Sequence, residues 1–340
     1  MSDTLTAQER VDITAALTSM MLLGESGTFA ASRLSGGVSC DVYRVELGEK
    51  TICLKRALPK LRVAADWRAP AERSMSEVAW MKLATRVVPG CVPEILGEDR
   101  ARHMFAMEYF PPETYPVWKS QLASGQADAQ FAARVGSTIA HIHAATAGRS
   151  GIAEAFANDT QFHALRLEPY LLYTAARHLD VAPQIRALAD GIAAARIALM
   201  HGDVSPKNIL CGPNGPVFLD AETACYGDPA FDLAFCLNHL LLKCVWHPQW
   251  TDAYLRSFTA LKNAYLDAVD WEARRAIDAR TARLLPALLL ARIDGKSPVE
   301  YLTAERKRNF VRRAAKTLLA SDPATLDFVA THWANAVGEL

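Results

Sequence analysis

The most informative segment of the chain spans residues 201–222 and reads HGDVSPKNILCGPNGPVFLDAE. Asp203 precedes Asn208 by five positions, on a loop that leads into a short apolar run. The Gly-Pro-Asn-Gly sequence that follows predicts a tight β-hairpin, after which Asp220 returns to the end where Asn208 lies. We therefore expect two carboxylates and one amide to face a single cavity.

This set of side chains suits phosphoryl transfer. That reaction needs a carboxylate to orient the attacking hydroxyl, and Asn and Asp side chains to hold Mg²⁺ against the phosphates. The same Asp-to-Asn spacing occurs in the catalytic loop of protein kinases. Taken one at a time, Asp203, Asn208 and Asp220 are also compatible with ordinary turns. The prediction therefore depends on their combination.

The overall composition is that of an ordinary globular protein. The chain has 340 residues, which is long enough for two lobes with a large core. Of these residues, 51% are hydrophobic and 22% are charged. Its 37 basic and 37 acidic residues balance, which gives no support for a nucleic-acid partner. We also expect no membrane partner, because the apolar run 284–293 is short and interrupted by Pro286 and Arg292.

The cysteines and the first residues favour a cytoplasmic location. Seven cysteines are scattered without a C-x-x-C pair, which is typical of reduced thiols rather than of a disulfide framework. Residues 1–10 lack the basic and apolar regions of a signal peptide. The nine histidines show no H-x-x-x-H pattern, so no zinc site is predicted.

The N-terminal third predicts a small β lobe. Thr6 and Glu9 form a capping box that opens a helix, which we expect to end near Gly24. Together, the periodicities that follow predict a five-stranded antiparallel sheet with one inserted helix. The predicted strands cover 30–34, 41–47, 51–57, 92–97 and 103–109, and the helix covers 71–87.

The rest of the chain predicts a mostly helical lobe. Prolines at 111, 112 and 116 mark the break between the two patterns. We therefore predict an α+β, bilobal fold with an N-lobe over 1–110, a C-lobe over 111–340 and a cleft between them. In the C-lobe, helices are predicted over 127–147, 160–177, 182–197 and 228–246, with β runs at 208–211 and 216–219.

Further motifs carry a family resemblance. The pattern of residues 201–222 is followed by YGDPAFDLA at 226–234 and preceded by a helix with VGSTIAHIH at 135–143. In these segments the chain resembles the aminoglycoside phosphotransferase and choline kinase superfamily of small-molecule kinases. The resemblance runs over nearly the whole chain; it is strongest over 201–234 and weakest after about residue 260.

The resemblance implies a protein-kinase-like fold, ATP and Mg²⁺ as cofactors, and roles for five residues. It makes Asp203 the catalytic base or hydroxyl-orienting carboxylate, and Asn208 and Asp220 the metal ligands. His201 is then a structural member of the loop, hydrogen-bonded near Asp220. Asp232 is expected to tie the loop in place.

For the N-lobe, the resemblance implies a phosphate-binding turn over 35–39. Gly36 and Gly37 allow backbone N–H groups to approach phosphate oxygens, and Ser35 and Ser39 flank them. The chain lacks the full G-x-G-x-x-G of protein kinases. A Gly-Gly pair is also compatible with an ordinary hairpin.

We expect an ion pair between Lys55 on the third strand and Glu77 on the inserted helix. Lys55 would contact the α- and β-phosphates, although a solvated strand lysine has the same local pattern. Glu77 is the predicted partner of Lys55, in preference to Glu72. The backbone of the hinge at 107–110, including Glu108 and Phe110, would read the adenine edge.

Several residues are candidates for the substrate side. Glu222 is implied near the metal or the substrate, and Arg166, Tyr170 and Arg292 could line a pocket in the C-lobe. The Arg292 region is equally compatible with helix C-capping. The basic cluster over 306–313 is expected to be a solvated helix face.

We therefore predict a kinase that phosphorylates a hydroxyl of a small polar molecule. The late C-lobe is rather basic and has no dense acidic patch, which favours a metabolite, with a slight preference for one that carries negative charge. An aminoglycoside phosphotransferase of antibiotic resistance is the alternative substrate class. A pseudokinase that binds nucleotide without catalysis is the alternative of another kind.

Overall fold

The computed structural model describes residues 5–24, 27–34, 39–60, 62 and 70–340. The predicted five-stranded antiparallel sheet is confirmed, with strand order β1-β2-β3-β5-β4. Its elements and the two helices around it are α1 (Ala7–Ser19), β1 (Ala30–Arg33), β2 (Cys40–Leu47), β3 (Lys50–Ala57), α2 (Arg73–Val87), β4 (Ile95–Asp99) and β5 (Met104–Glu108).

The capping box of α1 is present. The Glu9 N–H donates to Thr6 Oγ1 at 3.2 Å, and the Thr6 N–H donates to Glu9 Oε2 at 2.8 Å. The helix ends at Ser19 rather than near Gly24, because Met21 already takes a left-handed conformation with φ of 57°.

The two faces of the sheet pack against different partners. Ile52 and Leu54 on β3 lie in a cluster with Ile13 and Leu17 of α1. Because successive side chains of a strand point to opposite faces, Lys55 points away from α1, toward α2 and the cleft. The alternation of β3 therefore places this lysine where a bound phosphate group can meet it.

The C-lobe is helical around one buried core. In it, helix α4 (Ala129–Thr146) packs against α10 (Thr251–Asp267), and α9 (Ala230–Trp246) packs against both α10 and α11 (Arg274–Asp294). A π-helix, His163–Leu172, joins α6 to α7. The elements are α3 (Trp118–Ala123), α4 (Ala129–Thr146), α5 (Ser150–Ala155), α6 (Asp159–Phe162), α7 (Tyr173–Arg177), α8 (Ala182–Ala194), β6 (Ala198–Met200), β7 (Ile209–Gly212), β8 (Gly215–Phe218), β9 (Cys225–Gly227), α9 (Ala230–Trp246), α10 (Thr251–Asp267), α11 (Arg274–Asp294), α12 (Glu305–Ser321) and α13 (Leu326–Gly338).

Two predicted helices differ from the structure. The helix predicted over 160–177 is interrupted by the π-helix around Pro169, which has no N–H to donate. The helix predicted over 182–197 ends at Ala194, and β6 follows it and pairs with β9. Neither three-residue strand was predicted, because their pairing is between distant segments and leaves no local alternation.

The basic face of α12 is only partly solvated, so that prediction is wrong for Arg308 and Arg312. Arg312 makes two hydrogen bonds of 2.7 Å to the Asp294 carboxylate. Arg308 donates to the Ile293 carbonyl at 3.0 Å. These contacts join α12 to the end of α11.

Two chain-wide features complete the fold. All seven cysteines are free thiols, and Cys211 alone among them is more than slightly exposed. Within the described ranges, no helix combines the length and the apolar character that crossing a bilayer requires.

Candidate functional site

The β7–β8 hairpin brings Asn208 and Asp220 together. Ile209 pairs with Phe218, and the N–H of Leu219 donates to the Asn208 carbonyl at 2.8 Å. Asn208 and Asp220 therefore flank the open end of the hairpin. Asp220 has a φ of 68°, a left-handed conformation that Asp tolerates better than most residues.

The two carboxylate oxygens of Asp203 have different environments. Oδ2 accepts from Asn208 Nδ2 at 2.9 Å and lies 3.0 Å from Arg166 Nη2 and 3.2 Å from Lys207 Nζ. Oδ1 is buried and has no hydrogen-bond partner in the part of the chain that the structure describes. Although burial disfavours the charge, Arg166 and Lys207 lower the pKa of Asp203, so the side chain is an anion at neutral pH.

Asp232 holds the loop that carries Asp203. Its carboxylate accepts the backbone N–H of His201 at 2.7 Å and that of Gly202 at 2.8 Å. His143 Nε2 donates to the same carboxylate at 3.2 Å. These two short hydrogen bonds to backbone N–H groups agree with the expected role of Asp232 in holding the loop in place.

His201 and Gly202 fit this loop for different reasons. His201 Nε2 donates to the Leu219 carbonyl at 3.1 Å, and its Nδ1 accepts the Asp203 N–H at 3.1 Å. Burial lowers the pKa of His201, which agrees with a neutral ring. Gly202 has a φ of 78°, and a Cβ there would lie 2.6 Å from the Thr223 carbonyl oxygen.

The opposite wall of the cleft contains the ion pair expected between Lys55 and Glu77. Lys55 Nζ lies 2.8 and 2.7 Å from the two carboxylate oxygens of Glu77, and 2.5 Å from Asp220 Oδ1. Glu72, the competing partner, lies at the N-terminal end of α2. Burial opposes the charge of Lys55, but the Asp220 and Glu77 carboxylates raise its pKa well above the ordinary value.

Glu222 lies beside Asp220 and contacts the N-lobe. Its Oε2 accepts from Arg73 Nε at 2.8 Å, and the carboxylates of Glu222 and Asp220 lie with Cys40 Sγ within 4.8 Å of one another. Burial raises the pKa of the Cys40 thiol, which keeps the sulfur protonated and a poor metal ligand. The neighbouring oxygens of Asp220 and Glu222 are the kind of donors that a hard divalent cation prefers.

The other predicted nucleotide contacts are only partly described. Ser39 is buried, and its carbonyl accepts from Arg73 Nη2 at 2.5 Å. Glu108 ends β5 with an exposed side chain, and its N–H donates to the Glu94 carbonyl at 2.9 Å. Phe110 packs on the ring of Tyr115, with the centroids 4.3 Å apart. Ser35, Gly36 and Gly37 lie outside the described residues.

Three of the predicted substrate-side residues meet in the C-lobe. Arg166 is one of the residues that contact Asp203, and its guanidinium lies 5.8 Å from the centre of the Tyr170 ring. Arg292 Nη1 donates to the Tyr170 hydroxyl at 3.3 Å. Lys296, which follows α11, instead pairs with a glutamate of the π-helix at 2.7 Å.

Sequence reasoning missed four basic residues near the site: Arg73, Lys207, His239 and Lys243. Lys207 stands inside the motif itself, four positions after the catalytic-loop carboxylate. His239 and Lys243 lie at a spacing of four in a mostly apolar helix, which was a usable signal. Nothing local marks Arg73, because its partner Glu222 is 149 positions away.

Comparison with known proteins places this geometry in context. The family model described as "Phosphotransferase enzyme family" matches residues 30–277. The chain is 24% identical to methylthioribose kinase 1 of Oryza sativa subsp. japonica over 234 residues, which cover 59% of this chain and 53% of that protein. The chain thus spans about half the length of this curated relative.

Two solved structures share the fold. A choline/ethanolamine kinase family protein of Mesorhizobium loti superposes with a TM-score of 0.57 at 19% identity, covering 98% of this chain and all of its own. An ethanolamine kinase of Plasmodium vivax gives a TM-score of 0.61 at 10% identity, covering 95% of this chain and 93% of its own. At such identities the likeness concerns the fold alone, and it confirms the predicted bilobal, protein-kinase-like architecture.

Proposed function

Because the chain belongs to the phosphotransferase enzyme family, we propose that it transfers the terminal phosphoryl group of ATP to a hydroxyl of a small metabolite. One observation carries the proposal: Asp203 Oδ1 is buried without a partner among the described residues, while Oδ2 is held by three donors. A buried carboxylate oxygen left in this state is suited to accept a hydrogen bond from the acceptor hydroxyl.

The two lobes would have different roles in the reaction. The N-lobe, residues 1–110, would bind the nucleotide, with Lys55 oriented by Glu77 toward the phosphates and the backbone around Ser39, Glu108 and Phe110 nearby. The turn with Ser35, Gly36 and Gly37 would cover the phosphates. The C-lobe, residues 111–340, would supply the catalytic loop and the acceptor pocket, with Glu222, Arg166, Tyr170 and Arg292 on its walls.

Mg²⁺ would be held by Asn208 and Asp220, with Glu222 beside them. A bound divalent cation neutralises charge on the phosphates during transfer. Asn208 Nδ2 donates to Asp203, which turns the carbonyl oxygen of the same amide away from that carboxylate and makes it available as a ligand. Asp220 stays anionic because, against the effect of burial, Lys55 and Lys207 lower its pKa.

In the proposed step, Asp203 orients the acceptor hydroxyl and receives its proton. The hydroxyl oxygen forms the new bond to the γ-phosphorus, and the bond from that phosphorus to the β–γ bridging oxygen breaks, leaving ADP. Lys55 would stabilise the negative charge on the phosphates, and Asn208 and Asp220 would hold the divalent cation that neutralises it, so catalysis would rest on positioning and electrostatics. The free thiols support the cytoplasm as its location.

The test is ADP formation over a panel of hydroxylated metabolites and aminoglycosides. We expect Asp203→Asn to lower kcat by roughly 10²- to 10⁴-fold while ATP binding, measured by calorimetry, is retained. Asp190→Asn, a change at an exposed residue of α8, is the matched control and should behave as the wild type.

Full turnover in Asp203→Asn would refute the role of Asp203. ATP binding without any product would favour a non-catalytic scaffold, and turnover restricted to aminoglycosides would favour antibiotic modification.

A further inference from the structure

Near the catalytic loop, four polar side chains each have one buried nitrogen or oxygen atom that makes no hydrogen bond with a described residue. The atoms are His239 Nε2 and Lys243 Nζ on α9, Arg292 Nε on α11 and the Tyr301 hydroxyl, and no described residue satisfies them. His239, Lys243 and Arg292 are only 6%, 1% and 7% exposed. We call these four residues the α9–α11 cluster. Buried donors without acceptors are costly, so their presence requires an explanation.

The α9–α11 cluster lies next to the catalytic carboxylate. Arg166 Nη2 is 3.0 Å from Asp203 Oδ2. The Tyr170 ring connects Arg166 to the cluster, because its centre lies 5.8 Å from the Arg166 guanidinium carbon and 5.6 Å from that of Arg292. One aromatic ring therefore lies between Arg292 of the cluster and Arg166, one of the residues that hold Asp203.

Lys243 is the most deeply buried member. Its ammonium lies 4.1 Å from the centre of the Trp246 ring and 3.9 Å from that of Tyr301. Burial and the nearby charge of Lys119 lower the pKa of Lys243 to about 7. Glu300 favours the charged form of Lys243, but the Glu300 carboxylate is itself paired with Lys119. The half-buried Tyr301 ring, on the segment between α11 and α12, covers the ammonium.

The surroundings of His239 are also electropositive. Burial and then the charges of Arg292, Lys243, Lys207 and Lys119 hold the pKa of His239 well below its ordinary value. Of these basic groups, Lys207 also contacts Asp203, with its Nζ 3.2 Å from Oδ2. The cluster thus brings several donors and cationic groups together in a desolvated part of the C-lobe.

We propose that the α9–α11 cluster binds an anionic group, a carboxylate or a phosphate, of the acceptor molecule while Asp203 orients the hydroxyl of that molecule. The inference rests on the proposed function and names its substrate class: a hydroxylated metabolite with an acidic group. Charge-assisted hydrogen bonds from a guanidinium and an ammonium are the strong interactions by which proteins hold such anions. Binding moves the Tyr301 ring off Lys243 so that the anion can reach the ammonium.

The first experiment uses matched acceptor pairs: ethanolamine with serine for a carboxylate, and glycerol with glycerol 3-phosphate for a phosphate. We expect the wild type to prefer the anionic member of at least one pair, which also identifies the anion. Lys243→Met should raise KM for that member by roughly tenfold to hundredfold, with kcat little changed and with little effect on the member of the pair that lacks the anionic group. Methionine keeps the apolar stem and removes a buried charge, so the fold should be retained.

The matched control is Lys262→Met. Lys262 is also a buried lysine on a C-lobe helix, but its Nζ pairs with Asp327 at 2.5 Å, away from the cluster. We expect this variant to leave the preference for the anionic member intact. An unchanged preference in Lys243→Met, or a wild-type preference for the uncharged or cationic member of both pairs, would overturn the inference.

A second measurement separates this inference from the proposed function. Sulfate, whose charge is constant near neutrality, is titrated calorimetrically at about pH 6 and about pH 8.5, on either side of the Lys243 pKa. The wild type should bind sulfate more weakly at the higher pH, because Lys243 loses its charge, and Lys243→Met should lose this dependence. If no acceptor is phosphorylated, the proposed function fails while this titration still tests the cluster. Equal sulfate binding by wild type and variant at both pH values would rule the cluster out.

Discussion

At the scale of single residues, the Asp203 carboxylate has two oxygens in different environments. Asp203 Oδ2 has three donors within 3.2 Å, whereas Oδ1 is buried with none among the described residues. Arg166 and Lys207 keep the side chain ionised against the effect of burial. A carboxylate held so firmly by one oxygen is preorganised to position a hydroxyl with the other, which matches the demands of phosphoryl transfer.

The residue-scale prediction concerns Asp232. Asp232→Ala removes the acceptor of the His201 and Gly202 N–H groups and leaves both buried. We expect the free energy of unfolding to fall by about 3 to 5 kcal/mol, together with a loss of turnover. Urea unfolding and ADP formation measure the two effects. Asp190→Ala on the surface of α8 is the control, and a stability of Asp232→Ala within about 0.5 kcal/mol of wild type would contradict the prediction.

At the scale of elements, the π-helix places the Arg166 side chain against the catalytic loop. Arg166 Nε donates to the Gly202 carbonyl at 2.5 Å while its Nη2 reaches Asp203. Pro169, within the same stretch, has no N–H, and its carbonyl accepts from the Lys296 N–H at 2.9 Å. The widened turn is therefore stabilised by a contact from the end of α11, in line with the tendency of π-helical stretches to occur at functional sites.

The contact between α4 and α10 leads to a prediction about Gly136. A Cβ at Gly136 would overlap the carbonyl oxygen of Leu261, so one helix would have to move. We expect Gly136→Ala to reduce the free energy of unfolding by about 1 to 3 kcal/mol. Gly191→Ala on α8, where a Cβ meets no atom within 4 Å, is the control and should be neutral or stabilising by up to about 1 kcal/mol. Equal stability changes in the two variants would contradict the packing argument.

The junction of α11 and α12 predicts a pH dependence of stability. Burial acts against it, but hydrogen bonds from Arg312 and His178 lower the pKa of Asp294 to about 2. Because the folded pKa lies below the unfolded value of about 3.9, the stabilisation is present above about pH 4 and is lost as the pH falls toward the folded pKa.

The corresponding variant is Asp294→Asn. We expect it to be less stable than wild type by roughly 1 to 2 kcal/mol near neutral pH, after allowance for the partly exposed Arg312. The difference should shrink as the pH falls below about 4. Urea unfolding of both proteins over this range is the measurement. A difference that stays constant with pH would show that ionisation of Asp294 contributes nothing.

At the scale of the whole molecule, two buried ion pairs connect the lobes across the cleft. Lys55 of β3 contacts Asp220 at 2.5 Å, and Arg73 of α2 contacts Glu222 at 2.8 Å. Asp220 and Glu222 are separated by one residue, so both pairs end on the same short segment after the β7–β8 hairpin. The position of the Asp220 carboxylate, which we propose to bind the metal, is thereby coupled to the N-lobe.

This coupling predicts a strong effect of Arg73→Met. The change leaves the Glu222 carboxylate without its Arg73 partner in a buried environment, and we expect a loss of about 3 to 5 kcal/mol of stability and weaker Mg-ATP binding. Lys82→Met on the same helix is the control, because Lys82 is about half exposed and its ion pair with Glu98 lies within the N-lobe. Urea unfolding and calorimetric ATP titration would test it. Wild-type ATP affinity in Arg73→Met would argue against coupling between the lobes.

Much of the fold was predictable because its signals are local. The alternation in β2 and β3, the capping box of α1 and the prolines after β5 all act over a few residues, and the structure has the expected sheet. The three-residue strands β6 and β9 and the π-helix were not predictable in this way. They depend on pairing and packing with segments distant in sequence.

By itself, the sequence determined the catalytic segment, since the spacing of Asp203, Asn208 and Asp220 around a hairpin is a property of 18 consecutive residues. The tertiary structure alone decided which distant groups meet. Lys55 and Asp220 are 165 positions apart. Only the packed structure revealed that His239 and Lys243 are buried with unpaired atoms beside the site. The physical reason is desolvation: what a buried charge costs, and which partner offsets that cost, depends on the three-dimensional surroundings of the group rather than on its neighbours in sequence.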